Sequence, residues 1–405
     1  VSNRTYFEIT FIPGLKWRTN FSVDFYQYNY DGYVNSEYGF AAGYKGSAYK
    51  ESDRNLSYTI NNLLTYEKSF GDHSLSVLLG QEAYALEYKL LSAEKQGFPF
   101  PGVTEIGSAA VMSSMNSYTD KYRLLSWLSR VEYDYKDRYY ISGSFRTDGS
   151  SRFHPDNRWG QFWSLGGSWR ISNEEFMKPY SSWLDNLKLR FSWGNTGNTN
   201  VDPYETLGKL SKTYYSWNET AAIGTIPTGI PNPDLKWEKT EEYNVGLDFS
   251  LFNSRLNGTI DWYQRTTKDL ILKRQLPVTS GFSEIYQNIG STRNKGVELT
   301  LNGDIIRNTE WRWNVGITFA KNKNEILDLY GDKKDDVGSN YLLDFIGVWQ
   351  ENEAEEAAAY GAKPGYPKYK DIYNKEGDAP NINLNDDRYI ISRDPKWIGS
   401  LNTSV

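Results

Sequence analysis

The sequence has no cysteine, only two histidines and three methionines among its 405 residues. Without cysteine, neither a disulfide framework nor a thiolate metal site can form. Nowhere does the chain approach the roughly 18 consecutive apolar residues of a membrane-spanning helix, which excludes a helical membrane protein. A net charge of −6 at pH 7 argues against nucleic acid as a main partner.

Aromatic residues, in contrast, are abundant. Trp, Tyr and Phe number 14, 32 and 18, which is 16% of the chain, and glycine adds 34 residues. So many aromatic side chains can cover a large apolar surface, which excludes an intrinsically disordered chain. The mean hydropathy is nevertheless low, at −0.67. This combination favours β structure, either in a soluble domain or in the wall of a barrel.

Alternation of apolar and polar residues recurs along the chain and predicts β-strands. The clearest runs are residues 187–193, 245–251, 256–262, 297–301 and 311–319. The longest of these runs covers residues 311–319, whereas strands of soluble proteins average roughly 5–6 residues. A tilted strand that crosses a bilayer needs about 9–11 residues. The length of these runs therefore favours a membrane barrel over a soluble sandwich.

Loop lengths favour the same interpretation. Short turns, such as Pro13-Gly14 and Gly71-Asp72, alternate with long polar connections. The long connections are predicted near residues 29–56, 91–121, 196–240, 269–293 and 323–395. Short turns at one end and long loops at the other are typical of outer-membrane barrels. We predict roughly 13 strands, and because bacterial single-chain barrels have even numbers, we expect the chain to be part of a larger barrel.

Periodicity alone leaves one soluble alternative open. This is an aromatic-rich β-sandwich or propeller that binds carbohydrate or acts as a glycosidase. A catalytic motif is not evident, because His73 and His154 stand far apart and lack a Ser or Asp motif nearby. With 51 carboxylates, paired acids are inevitable and indicate nothing about glycosidase chemistry. We therefore predict that the chain is not an enzyme.

A set of short motifs follows in a fixed order from residue 140 to residue 299. Their residues are Asp148, Gly149, Ser150, Ser151, Arg152, Phe153, Trp159, Gly160, Gly194, Gly197, Asn198, Trp237, Glu238, Asn244, Lys295, Gly296 and Glu298. In this order and spacing they resemble the barrel of the SusC/RagA-type TonB-linked transporters of the Bacteroidetes outer membrane. The resemblance covers residues 1–405 and implies an all-β fold, a transmembrane antiparallel β-barrel with long extracellular loops. This chain would be an incomplete portion of a 22-stranded, plugged barrel.

The resemblance also implies a function. It is TonB-dependent uptake of a glycan or a peptide through the outer membrane of a Gram-negative, Bacteroidetes-type cell. The lipid bilayer would surround the wall, a SusD-like surface lipoprotein would close over the loops, and the TonB complex would act through the plug. We expect the plug, the TonB box, the early strands and the closing strands to be absent from this chain. A receptor for siderophores or another nutrient, built on the same barrel, is the alternative.

Aromatic side chains in the long loops are the candidate ligand surface. We single out Tyr33, Tyr44, Tyr214, Tyr215, Trp217, Trp349 and Tyr373. A flat ring can stack on the apolar face of a sugar while its polar tip keeps a hydrogen bond. The same rings could instead form the interfacial girdle or pack the loops together. The motif from Asp148 to Ser151 has two interpretations as well, a ligand contact at the extracellular rim or a turn that caps a loop.

Charged residues on the polar side of the strands are predicted to face the lumen. They are Lys188, Arg190, Asp248, Asp261, Glu298 and Arg312, and we expect them to pair with one another rather than to bind solute. No cofactor or metal is predicted. The family often carries an EF-hand-like loop where Asp371 to Asp387 lie, but this stretch lacks a ligand at the third position and the twelve-residue spacing. We therefore expect a solvated loop there without Ca²⁺.

Overall fold

The structure, a computed structural model, describes residues 1–329, 339–372, 380, 382, 388–392 and 394–405. In chain order its strands are β1 (Ser2–Ile12), β2 (Leu15–Val34), β3 (Ser47–Phe70), β4 (His73–Gln96), β5 (Val111–Tyr135), β6 (Tyr139–Ser150), β7 (Trp159–Arg170), β8 (Leu184–Asn198), β9 (Leu210–Trp217), β10 (Thr220–Pro227), β11 (Glu238–Leu251), β12 (Leu256–Lys268), β13 (Ile271–Gln275), β14 (Glu284–Asn288), β15 (Ser291–Arg307), β16 (Arg312–Asp328), β17 (Ser339–Leu343), β18 (Phe345–Val348), β19 (Pro367–Tyr369), β20 (Arg388–Ser392) and β21 (Ile398–Ser404).

Helical structure is sparse. The one α-helix in the part described is α1 (Ala354–Ala359). Short 3₁₀ turns lie at Ala42–Tyr44, Ile106–Ser108, Pro155–Asn157, Ile171–Asn173, Glu175–Tyr180, Val278–Ser280 and Glu351–Glu353. No helix of the described residues combines the length and the apolar character that a bilayer crossing requires.

Thirteen strands form one antiparallel sheet in the order β1-β2-β3-β4-β5-β6-β7-β8-β11-β12-β15-β16-β21. The other strands pair as small hairpins outside this sheet, β9 with β10, β13 with β14, β17 with β20 and β18 with β19. Consecutive wall strands pair with their neighbours in sequence because short turns alternate with loops that return to the same edge. This arrangement confirms the predicted all-β, antiparallel barrel wall.

The register separates the wall into two chemically different faces. Across four adjacent strands, Leu247 lies opposite Ile260, Ile260 opposite Leu299, and Leu299 opposite Phe319. Such rows continue around the sheet, and their side chains remain exposed, with Leu79 at 51% and Ile317 at 41%. The alternate positions carry the charged and amide side chains. An apolar outward face and a polar inward face are the pattern of a membrane barrel.

Several strands are longer than the sequence predicted. β3 and β4 have 24 residues each and β5 has 25, about twice what a bilayer requires. Residues 29–34 and 47–56, predicted as a loop, are therefore parts of β2 and β3, and the connection spans only 35–46. Beyond the membrane both faces of a strand contact water, so the backbone pairing continues while the apolar alternation disappears. The polar composition of these segments concealed the strands.

Candidate functional site

At the end of the wall with long connections, aromatic side chains from distant segments form a small core. Phe153, Phe162 and Trp237 meet with ring centroids 5.3–5.7 Å apart. Leu235 is fully buried beneath them. This loop core, which also includes Val201 and Ile271, joins the connections after β6, β8 and β12 into one body.

Two glycines of the motif set are required by this packing. A Cβ atom on Gly197 would lie 2.0 Å from the Phe162 ring, and one on Gly160 would lie 2.5 Å from it. The rings can therefore lie flat on the strands only where no side chain intervenes. The indole Nε1 of Trp237 donates a hydrogen bond to the backbone carbonyl of Arg158 at 2.9 Å, which orients the ring.

Glu238, the next motif residue, links three strands. Its side chain is 5% exposed and accepts hydrogen bonds from the backbone N–H of Ile271 at 2.8 Å and from Asn198 Nδ2 at 2.9 Å. Asn198 ends β8, Glu238 begins β11, and Ile271 begins β13. A buried carboxylate is stabilised by such donors, so Glu238 holds the β13–β14 hairpin to the wall.

The motif from Asp148 to Phe153 also makes contacts within the protein. Asp148 is 7% exposed and accepts from Arg146 Nε at 2.7 Å. The hydroxyl of Ser151 accepts from the backbone N–H of Arg123 at 2.9 Å, and the Arg152 guanidinium donates to the Thr199 carbonyl at 2.8 Å. These contacts correspond to the loop-capping interpretation of this motif rather than to a free ligand rim.

The remaining motif residues lie apart, along the wall. Gly194 and Gly296 permit close approach of neighbouring backbone, since a Cβ on either would come within 2.7 Å of a carbonyl oxygen of the next strand. Lys295 lies 3.7 Å from Glu325, at the loop end of β15 and β16. Asn244 and Glu298 both lie on the inward face, in neighbouring rows, with Asn244 opposite Tyr263 and Glu298 opposite Asp261. The structure therefore divides the motif set between the loop core and the wall.

Charges on the inward face pair with one another. Arg190 contacts Asp248 through two hydrogen bonds of 2.8 Å, and it reaches Asp261 on the following strand at 3.1 Å. The Lys188 ammonium lies 4.4 Å from the centre of the Tyr140 ring. Arg312 pairs with Asp304 at 3.5 Å. A cavity of about 630 Å³ opens on this face beside Glu132, Tyr140, Arg190 and Asn244. The inner wall is thus a polar, internally paired surface.

Three of the predicted ligand-binding aromatics lie together. Tyr214, Tyr215 and Trp217 belong to the β9–β10 hairpin and are 64%, 49% and 68% exposed. The tip of this hairpin, Asn218 and Glu219, has positive φ angles at both positions, as a two-residue hairpin turn requires. We name this element the aromatic hairpin. Sequence reasoning missed its exposed Ile223, although the alternation around the Asn218 turn is a hairpin signal.

The other predicted aromatics lie in different environments. Tyr33 packs edge-on against Phe98 with centroids 5.3 Å apart, and Tyr44 is 38% exposed in a short 3₁₀ turn. Trp349 is only 4% exposed, with the Lys368 ammonium 4.0 Å above its ring. Trp349, which the sequence predicts as part of the ligand surface, instead packs as the buried core of its own loop. Tyr373 lies outside the described residues.

Two ion pairs outside the membrane stabilise the loops and turns. Lys368 contacts Glu353 at 2.8 Å, which raises the pKa of the lysine and lowers that of the glutamate. At the short-turn end, Glu174 accepts hydrogen bonds from the Tyr139 hydroxyl and from Trp169 Nε1, and these lower its pKa. Arg138 adds a 3.2 Å contact. Glu174 therefore attaches the segment between β7 and β8 to the wall.

Metal ligands do not cluster in the part of the chain that the structure describes, where no group of three His, Asp or Glu side chains is suited to hold an ion. Most of the stretch from Asp371 to Asp387 lies outside that part. The expectation that this loop binds no Ca²⁺ therefore stays a prediction.

Comparison with known proteins agrees with this geometry. A family model described as "TonB dependent receptor-like, beta-barrel" matches residues 2–404. The TonB-dependent receptor P3 of Formosa agariphila is 34% identical over 369 residues, which is 90% of this chain and 36% of that protein. The TonB-dependent receptor SusC of Bacteroides thetaiotaomicron is 31% identical over 383 residues, 92% of this chain and 37% of that protein.

Among solved structures, the RagAB peptide transporter superposes with a TM-score of 0.80 at 26% identity, over 99% of this chain and 45% of that one. The open-open state of the RagAB peptide importer gives 0.83 at 26% identity, over 100% and 45%. The chain spans a little over a third of the length of the curated relatives. This chain belongs to the TonB-dependent receptor family and is part of an outer-membrane β-barrel of the SusC/RagA type.

Proposed function

We propose that the protein takes up an oligosaccharide or a peptide through the outer membrane, with ligand bound first at the aromatic hairpin. The observation that carries this proposal is the exposure of Tyr214, Tyr215 and Trp217 on an element that projects from the loop end of the wall. An exposed apolar surface of this kind, on an otherwise polar set of loops, is typical of a binding site. No bond is broken in this function.

The aromatic hairpin presents its rings in a defined geometry. Tyr215 and Trp217 lie on one face of the hairpin, edge to face, with centroids 6.4 Å apart. The Tyr215 ring also covers Gly224 on the facing strand, where a Cβ would be only 3.1 Å from the ring. Rings held in this way lose little conformational entropy on binding, which suits stacking on a sugar or on peptide side chains.

The inward face supports passage of a hydrated solute. Arg146 contacts Asp148, Ser126 and Glu82, and Arg190 contacts two aspartates. These charges are already paired, so they keep the wall wet without trapping one charged ligand. Such a surface suits a neutral glycan or a peptide of mixed character. The RagAB relative, described as a peptide transporter, supports the peptide alternative.

A surface lipoprotein of the SusD type and the TonB complex complete the proposal. The lipoprotein would close over the loops, and TonB would act through a plug domain elsewhere in the full-length protein. In support, the hairpin and its neighbourhood expose further apolar side chains, Leu207, Ile223 and Ile226, each at least half exposed. A lid that covers the ligand would also cover this surface.

Binding measurements on the full-length receptor test the proposal. We would titrate oligosaccharides, peptides and ferric siderophores into detergent-solubilised protein by calorimetry. Because each stacked ring contributes about 0.5–1.5 kcal/mol, replacing Tyr214, Tyr215 and Trp217 together with Ala should weaken binding by roughly tenfold or more. The matched control is Phe176→Ala, an equally exposed ring at the short-turn end. Unchanged affinity in the triple variant would reject the hairpin as the site, and binding of siderophores alone would favour the alternative receptor.

A further inference from the structure

A groove of about 680 Å³ lies on the outward face of the wall, across β2 to β7. Its floor consists of two small residues, Ala83 and Ala85 of β4. Larger side chains stand on both sides, Tyr58 and Ile60 from β3 and Trp159 from β7. We call this feature the outer groove. Small residues between large ones leave a channel one side chain deep.

The register shows that the outer groove opens towards lipid. Ala83 lies opposite Ile60 on one side and Leu125 on the other, and Ala85 lies opposite Tyr58. These positions share a face with Leu79, which belongs to the exposed apolar rows. The outer groove is thus continuous with the surface that contacts the acyl chains of the bilayer.

The distance of the outer groove from the short-turn end of the wall shows in which leaflet of the bilayer it lies. Arg123, which lines its upper end, lies twelve residues along β5 from Tyr135 at the short-turn end. At about 3.4 Å per residue and a tilt of about 40°, this corresponds to about 31 Å. The apolar band of such barrels is about 25 Å tall. Arg123 therefore stands at the level of the lipid headgroups on the side of the long loops.

Positive charge dominates this level. Arg123 and Arg158 both line the outer groove, and among the described residues neither forms an ion pair with a carboxylate. The Nε of Arg158 is buried without a hydrogen-bond partner in this part of the structure. On the same face Lys89 and Lys121 share a single carboxylate, Glu87. The headgroup region of this wall therefore carries excess positive charge directly above an apolar groove.

We propose that the outer groove binds an anionic, phosphate-bearing lipid of the outer leaflet. One acyl chain lies along Ala83 and Ala85, and the phosphate contacts Arg123 and Arg158. Planar guanidinium groups match phosphate oxygens through paired hydrogen bonds, and neither Arg123 nor Arg158 is already paired with a carboxylate among the described residues. The site is formed by the wall itself and does not depend on which solute the protein transports.

Native mass spectrometry of the full-length receptor tests the charge requirement. The probes are an acylated glucosamine disaccharide carrying two phosphates and the same lipid after enzymatic dephosphorylation. We expect the phosphorylated lipid to be retained at least tenfold more strongly. Arg123→Gln with Arg158→Gln should abolish this preference, and Arg123→Lys with Arg158→Lys should restore part of it. Equal retention of both lipids by the unmodified protein would overturn the proposal.

The matched control is the double variant Arg4→Gln with Arg130→Gln. It also removes two positive charges, but from the inward face of the wall. This variant should retain the phosphorylated lipid as the unmodified protein does, and loss of the lipid here would overturn the proposal. Inorganic phosphate at the lipid concentration should not displace the lipid, because it lacks the acyl chain.

A second variant tests the groove independently of charge. Ala85→Trp should fill the channel and reduce retention of the phosphorylated lipid by tenfold, while Val297→Trp, on a distant part of the outward face, should not. Retention unchanged by Ala85→Trp would show that no acyl chain lies in the outer groove. Heat-modifiable migration on gels confirms that each variant is a folded barrel before lipids are compared.

Discussion

The indole N–H of Trp237 donates a hydrogen bond to the main-chain carbonyl of Arg158, 2.9 Å away, although 79 positions separate the two residues. This one contact joins the loop core to the outer groove, because Arg158 places its carbonyl in the first and its side chain in the second. The loops are therefore connected mechanically to the part of the wall that meets the headgroups.

Replacing Trp237 should loosen the loops and leave the barrel intact. Trp237→Ala removes a buried ring and should cost the loop core about 3–5 kcal/mol. Trp237→Phe keeps most of the packing and loses one hydrogen bond, about 1 kcal/mol. Limited proteolysis of the full-length protein measures the loosening as the rate of cleavage between residues 199 and 237. We expect cleavage to be fastest in Trp237→Ala, slower in Trp237→Phe and slowest in the unmodified protein. Equal cleavage rates for all three would contradict the role of the loop core.

Removing the carboxylate of Glu238 should weaken the attachment of the β13–β14 hairpin to the wall. Glu238→Ala leaves the Ile271 N–H and the Asn198 amide without their acceptor. The expected cost is about 1–3 kcal/mol, read as faster amide hydrogen exchange in β13 and β14. Glu238→Gln keeps one acceptor oxygen and should show a smaller effect. Equal rates of amide exchange in Glu238→Ala and Glu238→Gln would show that these hydrogen bonds do not hold the β13–β14 hairpin to the wall.

The Arg190 cluster should show strong coupling between its members. Arg190→Gln leaves Asp248 and Asp261 facing each other without their cation, and we expect a loss of about 1–2 kcal/mol, since all three side chains keep some contact with water. Adding Asp248→Asn and Asp261→Asn should recover most of it. Urea titration of the full-length barrel folded into vesicles provides the comparison, and additive losses would contradict the coupling.

A new charge should destabilise the barrel far more on the outward face of the wall than on the inward face. Leu299→Arg introduces a cation into the outward apolar rows and should destabilise the folded barrel by roughly 2–4 kcal/mol. Thr300→Arg, on the next residue of β15, points inward and should cost much less. The same refolding titration measures both. Equal costs at these neighbouring positions would exclude the assignment of Leu299 to lipid.

Acid should release the segment between β7 and β8. The folded pKa of Glu174 is below its ordinary value because Tyr139 and Trp169 donate to its carboxylate. The stabilisation is complete above the unfolded pKa of about 4.3 and is lost as the pH falls through the folded value. Trp fluorescence should therefore report a transition below about pH 4, and Glu174→Gln should remove it. A transition that persists in the variant would point to another group.

The features that could be predicted from the sequence are those that depend on residues close together in the chain. The two-residue period of a strand and the turn residues between strands are read directly from neighbouring positions, so roughly 13 wall strands and their two faces were predicted. The ends of β2 to β5 were not, because strands in water on both faces lose the apolar alternation. The predicted pairing of the inward charges was found for Arg190, Asp248 and Asp261.

The contacts within the candidate site could not be predicted in this way, because they join residues that are far apart in the sequence. The sequence showed Trp349 and Trp217 as equivalent loop aromatics, and only the packing of Lys368 over Trp349 separated a buried ring from an exposed one. The motif residues were recognised as a set, but their convergence on the loop core depends on contacts across tens of residues. Period and turn chemistry determined the wall, since they act between neighbours in the chain. Tertiary packing decided which side chains remained exposed and which were buried, because burial depends on residues that sequence order does not bring together.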